Sequence, residues 1–291
     1  MPAIIRVLRP SQWLKNTFVF IPLIFSQNLF RLDFEIKSLI AFISFCFVSS
    51  AVYIFNDIVD READRLHPTK SKRPIAAGEV GIPVAFAVSL ILLVISWFLV
   101  TLLPGEFSAI VILYVVLQTL YSLRLKHIVV VDVFIIAIGF MLRVFSGAVA
   151  IDVVISHWLI ITTLFLSLFL AVSKRRSELM LIQQLGIETK RKVLADYDET
   201  FLNLCLIITA AGMALSYSLY TMSERTITMF GTDYLIYTTI FVLFGIFRYL
   251  FLVITKGEGE NPVTILVKDT PTALNFLVWV VVCIFIIYFS H

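Results

Sequence analysis

Residues 36–64 read IKSLIAFISFCFVSSAVYIFNDIVDREAD. Ile36 to Phe55 is a long apolar run, and Asn56-Asp57-Ile58-Val59-Asp60-Arg61-Glu62-Ala63-Asp64 closes it and opens a polar loop. If the helix continues, each residue turns by about 100°. With Asn56 at zero, Asp60 falls at about 40°, Asp64 at about 80° and Asp57 at about 100°. Four oxygen-bearing side chains therefore share one face, Tyr53 lies on it too, and Glu62 points the other way. An acidic side chain near the centre of a membrane helix costs about 2.5–3.5 kcal/mol, less towards its end. Crowded carboxylates also repel one another. A hard divalent cation relieves both costs, and Mg²⁺ characteristically takes one or two carboxylates together with substrate phosphates. The stripe points to a Mg²⁺–diphosphate site at the mouth of a membrane cavity. An acidic helix end solvated by headgroup water is the plainer alternative; the periodic spacing within a membrane run favours the site.

The rest of the chain agrees with a membrane setting. It has 291 residues, 60% of them hydrophobic and 15% charged. That is too apolar for a soluble domain of this length and indicates an all-α polytopic membrane protein. Cys46, Cys205 and Cys283 all lie in apolar runs, and none has a metal or redox spacing. The histidines show no zinc signature. The first apolar run lacks a small-residue cleavage site, so no cleavable signal peptide is expected.

Nine apolar segments can be drawn: 17–30, 36–59, 82–103, 107–121, 129–150, 158–172, 201–222, 232–254 and 273–290. They predict one domain, 1–291, of nine spans. Of the 23 Lys and Arg residues, 19 fall on the side of the N-terminus and of loops 60–81, 122–128, 173–200 and 255–272, with Arg248 near the end of segment 232–254 counted among them, against 3 on the other side. This asymmetry places the N-terminus in the cytoplasm. Loops 60–81, 173–200 and 255–272 are long, charged in both signs and rich in helix formers, so they read as ordered caps over the cytoplasmic mouth. The partners expected are a lipid bilayer and a phosphorylated substrate, not nucleic acid.

The basic residues share that water layer. Lys72-Arg73-Pro74 follows the acidic stripe, and Lys174-Arg175-Arg176 ends the sixth segment. Either cluster alone reads as a positive-inside anchor; beside a metal–carboxylate site both suit a substrate with several phosphates. Arg143 sits inside the fifth segment, with Gly139 and Gly147 one turn before and after. Such an arginine faces a bundle interior or a cavity, either as a structural ion pair or as a phosphate ligand. Tyr121 and Lys126 end the fourth segment, and Trp13 and Lys15 lie in the N-terminal arm. Taken alone, these pairs are an interfacial belt.

Asn56-xxx-Asp60-xxx-Asp64, then Lys72-Arg73-Pro74-Ile75-Ala76-Ala77-Gly78 and Tyr121-Ser122-xx-Leu125-Lys126, together resemble the UbiA superfamily of intramembrane prenyltransferases. The resemblance covers essentially the whole chain. It implies nine helices around a lipid-open cavity capped by cytoplasmic loops. It also implies Mg²⁺ and a diphosphate on Asn56, Asp60 and Asp64, helped by Asp57. One departure is informative. Most members carry a second aspartate-rich motif where this chain reads Ser173-Lys174-Arg175-Arg176-Ser177-Glu178. Together with Leu8-Arg9-Pro10-Ser11-Gln12-Trp13-Leu14-Lys15-Asn16, this looks like the decaprenyl-phosphate phosphoribosyltransferase branch.

That branch joins phosphoribosyl pyrophosphate to a polyprenyl phosphate and releases pyrophosphate; its product feeds lipid-linked pentose donors. The resemblance assigns substrate phosphates to Lys15, Asn16, Lys72, Arg73, Tyr121, Lys126, Arg143, Lys174, Arg175 and Arg176. The competing readings are an ordinary prenyltransferase acting on an aromatic or other small acceptor and a transporter or channel for a phosphorylated lipid or ion. The missing second acidic motif weighs against the first. The concentration of charge at one mouth weighs against the second.

Overall fold

The computed structural model describes residues 2–66, 69–185, 194, 196–257, 259, 265 and 268–290. Among them are eight helices long and apolar enough to cross a membrane. In chain order, the helices are α1 (Ala3–Val7), a 3₁₀ helix (Pro10–Phe20), α2 (Ile21–Phe25), α3 (Leu32–Val59), α4 (Arg61–Arg65), α5 (Ile82–Val100), α6 (Gly105–Leu123) and α7 (Val131–Ala150). After them come α8 (His157–Leu185), α9 (Glu199–Met222), α10 (Glu224–Phe230), a 3₁₀ turn (Tyr234–Thr238), α11 (Thr239–Thr255) and α12 (Thr270–Phe289). Short 3₁₀ turns also form at Lys70–Lys72 and Leu125–His127. Apolar side chains such as Phe86, Val94, Phe98, Ile208, Leu215 and Phe247 stand exposed on these helices. In water they would be a liability; in a bilayer they are the lipid-facing surface.

The expected count of nine is not reached among the described residues. The segment drawn at 17–30 is a 3₁₀ helix followed by one short α-helix, with Pro10 and Pro22 in their first turns. Proline removes a backbone donor and favours such a start over a continuous α-helix. The sixth segment departs in the other direction. Expected to end near residue 172, it runs on as α8 to Leu185, so Lys174-Arg175-Arg176 lies within a helix and not at its end. The predicted cap at 173–200 therefore begins as helix, while 186–193 lies outside the described residues.

Two compact units can be distinguished. The first comprises Met1–Ile128 and Leu142–Val154, the second Val129–Met141 and Ile155–His291; α7 contributes to both. In the first unit α3 is the central post. Its small residues Ser44, Ser49, Ser50 and Ala51 are buried, which lets neighbours come close. The α5 hydroxyls of Ser89 and Ser96 donate to the α3 carbonyls of Ala51 and Ser44. The 3₁₀ helix runs antiparallel along α3: Arg9 meets Asp57, Trp13 meets Ser50, Asn16 meets Ser49 and Phe20 meets Phe42. Loop 69–80 is pinned by Ile75 and Val80, which join Val7, Ala51, Ile54 and Ala85 in one buried cluster.

In the second unit α8 packs on α9. Thr162 and Ser216 share a hydroxyl hydrogen bond of 3.1 Å. Asp269 caps the N-terminus of α12 and accepts two hydrogen bonds from Arg248 of α11. The arginine holds that carboxyl well below the usual carboxylate range.

Gly147 is a tight joint of the first unit. A Cβ built there would penetrate the carbonyl oxygen of Val19 and lie 2.9 Å from its carbonyl carbon. Only glycine lets α7 seat against the 3₁₀ helix. Gly147→Ala should destabilise the protein by about 1–3 kcal/mol, the usual scale for overpacking. Gly105→Ala, where nothing lies within 4 Å, should leave the thermal unfolding midpoint in detergent unchanged. Equal midpoints for both variants would contradict this packing.

Candidate active site

The acidic stripe keeps its spacing beyond the end of α3. Asp60 leaves helical geometry, with φ −88° and ψ 2°, yet the i→i−4 ladder continues. Asp60 N donates to Asn56 O at 2.9 Å, and Asp64 N to Asp60 O at 2.8 Å. Asn56, Asp57, Asp60 and Asp64 therefore stay grouped. Glu62 points away as expected, exposed and paired with Arg65.

Each carboxylate of the stripe is engaged by a cation. Asp57, 3% exposed, accepts from both Nε and Nη2 of Arg9 and from Arg73 Nη1 at 3.1 Å. The same Arg73 nitrogen donates to Asp64 Oδ2 at 2.6 Å. Asp60 accepts from Lys126 Nζ and from Asn56 Nδ2, the latter at 3.1 Å. Burial pushes the Asp64 carboxyl above the usual carboxylate range, and the adjacent Arg73 pulls it back.

Arg9 was not singled out from the sequence as a site residue. Its signal was faint: an arginine before a proline. In the structure its backbone is left-handed, φ 52°, and its guanidinium lies 5.3 Å from the centre of the Tyr53 ring. A non-glycine residue at positive φ is costly unless its surroundings hold it. Here the two-pronged bond to Asp57 and the ring do so.

A second group lies further along α3. Arg143, 4% exposed, donates to Asn16 Oδ1 at 2.7 Å and to the Tyr114 hydroxyl at 2.8 Å. Its guanidinium also lies 4.8 Å from the centre of the Tyr114 ring. Asn16 donates in turn to Ser49, eight residues before Asp57, or about 12 Å along the helix. Arg143 thus meets neutral oxygens and a ring face here and does not join the carboxylate cluster. Lys15 is half-buried on the same 3₁₀ helix, Tyr121 is half-buried at the end of α6, and Lys72 is exposed beside Arg73.

The second unit holds the remaining basic cluster. Arg175 is fully buried, and its guanidinium joins Asp132 and Glu178. The Tyr197 hydroxyl donates to Asp132 Oδ1 at 2.7 Å and accepts from Val130 N at 2.8 Å. Burial and that carboxylate keep the phenol pKa well above its usual value, so it remains a donor. Arg176 donates to Glu199, Asn203 and the Val253 carbonyl, tying α8 to α9 and α11. These two arginines direct their hydrogen bonds at the protein itself. Lys174 is half-buried on the same helix.

The donor set of the first unit suits a hard cation: Asp60 and Asp64 carboxylates with the Asn56 amide, all oxygen and near the end of an apolar helix. Among the described residues, no three His, Cys, Asp or Glu side chains form a ready-made metal-binding group. A metal at this site would complete its shell from a bound phosphate compound.

The fold and the site thus define an intramembrane protein with a paired acidic and basic cluster at the end of one membrane helix. Residues 29–265 match the UbiA prenyltransferase family, to which the chain belongs. Decaprenyl-phosphate phosphoribosyltransferase of Mycolicibacterium smegmatis is 34% identical, over 99% of this chain and 93% of that one. The enzyme of the same name from Corynebacterium glutamicum is 36% identical, over 98% and 86%. Among solved structures, a UbiA homolog from Archaeoglobus fulgidus bound to DMAPP and Mg²⁺ has a TM-score of 0.73 at 19% identity, covering 99% of this chain and 100% of that chain. That likeness shows the shared all-helical fold.

The Arg175 network predicts a stability effect. Arg175→Met leaves Asp132 and Glu178 buried without their cation, which should cost about 3–5 kcal/mol. Adding Asp132→Asn should recover part of the loss in thermal unfolding. An Arg175→Met protein with a normal unfolding midpoint and a defect confined to substrate affinity would instead make Arg175 a substrate ligand.

Proposed function

We propose that the chain transfers the 5-phosphoribosyl group of phosphoribosyl pyrophosphate to a polyprenyl phosphate of decaprenyl type, releasing pyrophosphate, with Mg²⁺ as cofactor. The observation that carries this reading is the cluster of Asn56, Asp60, Asp64, Lys126 and Arg73 at the end of an apolar helix. Support comes from the names of relatives similar over nearly the full length. The absence of an aspartate-rich sequence at 173–178 weighs against ordinary prenyl-diphosphate chemistry.

In this reading Asn56, Asp60 and Asp64 hold the metal. Mg²⁺ bound there supplies charge neutralisation for the pyrophosphate that leaves ribose C1. Lys126 and Arg73 donate to the pyrophosphate oxygens, with Lys72 and Tyr121 at the rim. Asp57 is a positioning residue that aims Arg9 and Arg73. Lys15 and Lys174 attract the other phosphates. Asn16 and Arg143 fix the wall beneath the cluster, and Arg175 and Arg176 act by holding α8 in place.

The acceptor phosphate oxygen is already anionic. It attacks C1 as the C1–pyrophosphate oxygen bond breaks, so no strong general base is required. Positioning and electrostatics carry the rate. The 19-to-3 distribution of basic residues supports a site on the cytoplasmic face of a bacterial inner membrane. Residues 1–291 act as one transmembrane domain.

Purified protein given labelled phosphoribosyl pyrophosphate, a polyprenyl monophosphate and Mg²⁺ should place label in the organic phase. EDTA should abolish the signal. Asp60→Asn should lower turnover by about 10²–10³-fold, the scale of one lost electrostatic group, in protein that still folds at the assay temperature. Transfer of label from a prenyl diphosphate to an aromatic acid, with none from phosphoribosyl pyrophosphate, would establish the ordinary prenyltransferase reading instead.

A further inference from the structure

Asp57, Asp60 and Asp64 face three cations, Arg9, Arg73 and Lys126. Three formal negative charges thus meet three formal positive ones. A dication added alone would leave the cluster net positive, and a diphosphate added alone would leave it strongly negative. The chelate of one dication with an esterified diphosphate comes within about one charge of balance. In a site of reduced dielectric such differences weigh more than in water.

The individual contacts lead to the same conclusion. Lys126 is 5% exposed, and its ammonium is seated on Asp60. Both Asp60 oxygens already accept hydrogen bonds, so a metal there competes with the ammonium, and a buried ammonium without a partner is costly. Diphosphate oxygens are the partners that would receive it. Arg73 is placed similarly on Asp64, at 2.6 Å. Arg9 differs. It grips Asp57 with two nitrogens, stacks on Tyr53 and carries the strained left-handed backbone, so it stays in place. The cluster therefore contains two exchangeable cations and one fixed cation.

We propose that Lys126 and Arg73 act as exchangeable counter-ions that bar free metal from Asp60 and Asp64 and transfer to the diphosphate, so that metal and diphosphate enter only as one chelate. The inference rests on the functional reading above for the identity of the diphosphate. It adds the order of binding and the exchange of Lys126 and Arg73 from carboxylate to diphosphate.

The test is equilibrium dialysis of the full chain in detergent with radiolabelled Mn²⁺, with and without radiolabelled pyrophosphate. Wild-type protein should take up Mn²⁺ alone at least about tenfold more weakly than it takes up the Mn²⁺–pyrophosphate chelate, within the usual range of coupling between sites. Lys126→Met removes the competitor, so Mn²⁺ alone should bind at least about tenfold more tightly than to wild type while chelate binding weakens. Arg73→Gln should shift both affinities in the same directions and provides an independent variant should Lys126→Met not fold. Wild type that binds Mn²⁺ alone as tightly as the folded variants would overturn the proposal.

The dialysis contains neither ribosyl donor nor lipid. Coupled uptake without product from phosphoribosyl pyrophosphate would therefore refute the functional reading alone. Product formation with uncoupled metal binding would refute this inference alone.

Discussion

Three carboxylates at the end of an apolar helix must be neutralised, and the first unit is arranged to do so. Asp57, Asp60 and Asp64 leave α3 and its short continuation on one face. Their partners arrive from three separate segments: Arg9 before the 3₁₀ helix, Arg73 from the loop after α4, and Lys126 from the turn after α6. The cluster therefore joins three connections that local sequence alone would leave independent. The apolar anchors beneath it, Val7, Ile75 and Val80, keep two of those connections on α3. Hydrophobic burial supplies the attachment and charge supplies the register.

The second unit solves a related problem differently. Continuing α8 through Ser173–Glu178 carries two arginines into the interior, where an unpaired guanidinium is untenable. Asp132, Glu178, Glu199, Asn203 and a main-chain carbonyl accept from them. These bonds join α7, α8, α9 and α11. Arg175 sits at 0% exposure between two carboxylates, an internal cation.

Much of this was legible in the sequence. The apolar runs locate the membrane helices, and the i, i+4, i+8 spacing of Asn56, Asp60 and Asp64 foretells their shared face, because the backbone ladder persists through Asp60. What could not be read was pairing. Lys126 reads as one member of an interfacial belt, yet it lies on Asp60, 66 positions away. Arg9 is one of several N-terminal cations until its partner is known. The Lys174–Arg176 cluster resembles a helix end because charge usually terminates a membrane span. It is internal because long-range partners satisfy it, and periodicity carries no information about those partners. The first segment differs in a simpler way: hydropathy counts a span there, and Pro22 divides it into a 3₁₀ helix and a short α-helix.

The most direct test of the account is an experimental structure of the protein with Mg²⁺ and a non-reactive phosphoribosyl pyrophosphate analogue. The account predicts the metal on Asp60 and Asp64, Lys126 and Arg73 moved onto pyrophosphate oxygens, and Arg9 still on Asp57. A bound analogue with Lys126 still on Asp60, or with its pyrophosphate held elsewhere, would contradict it.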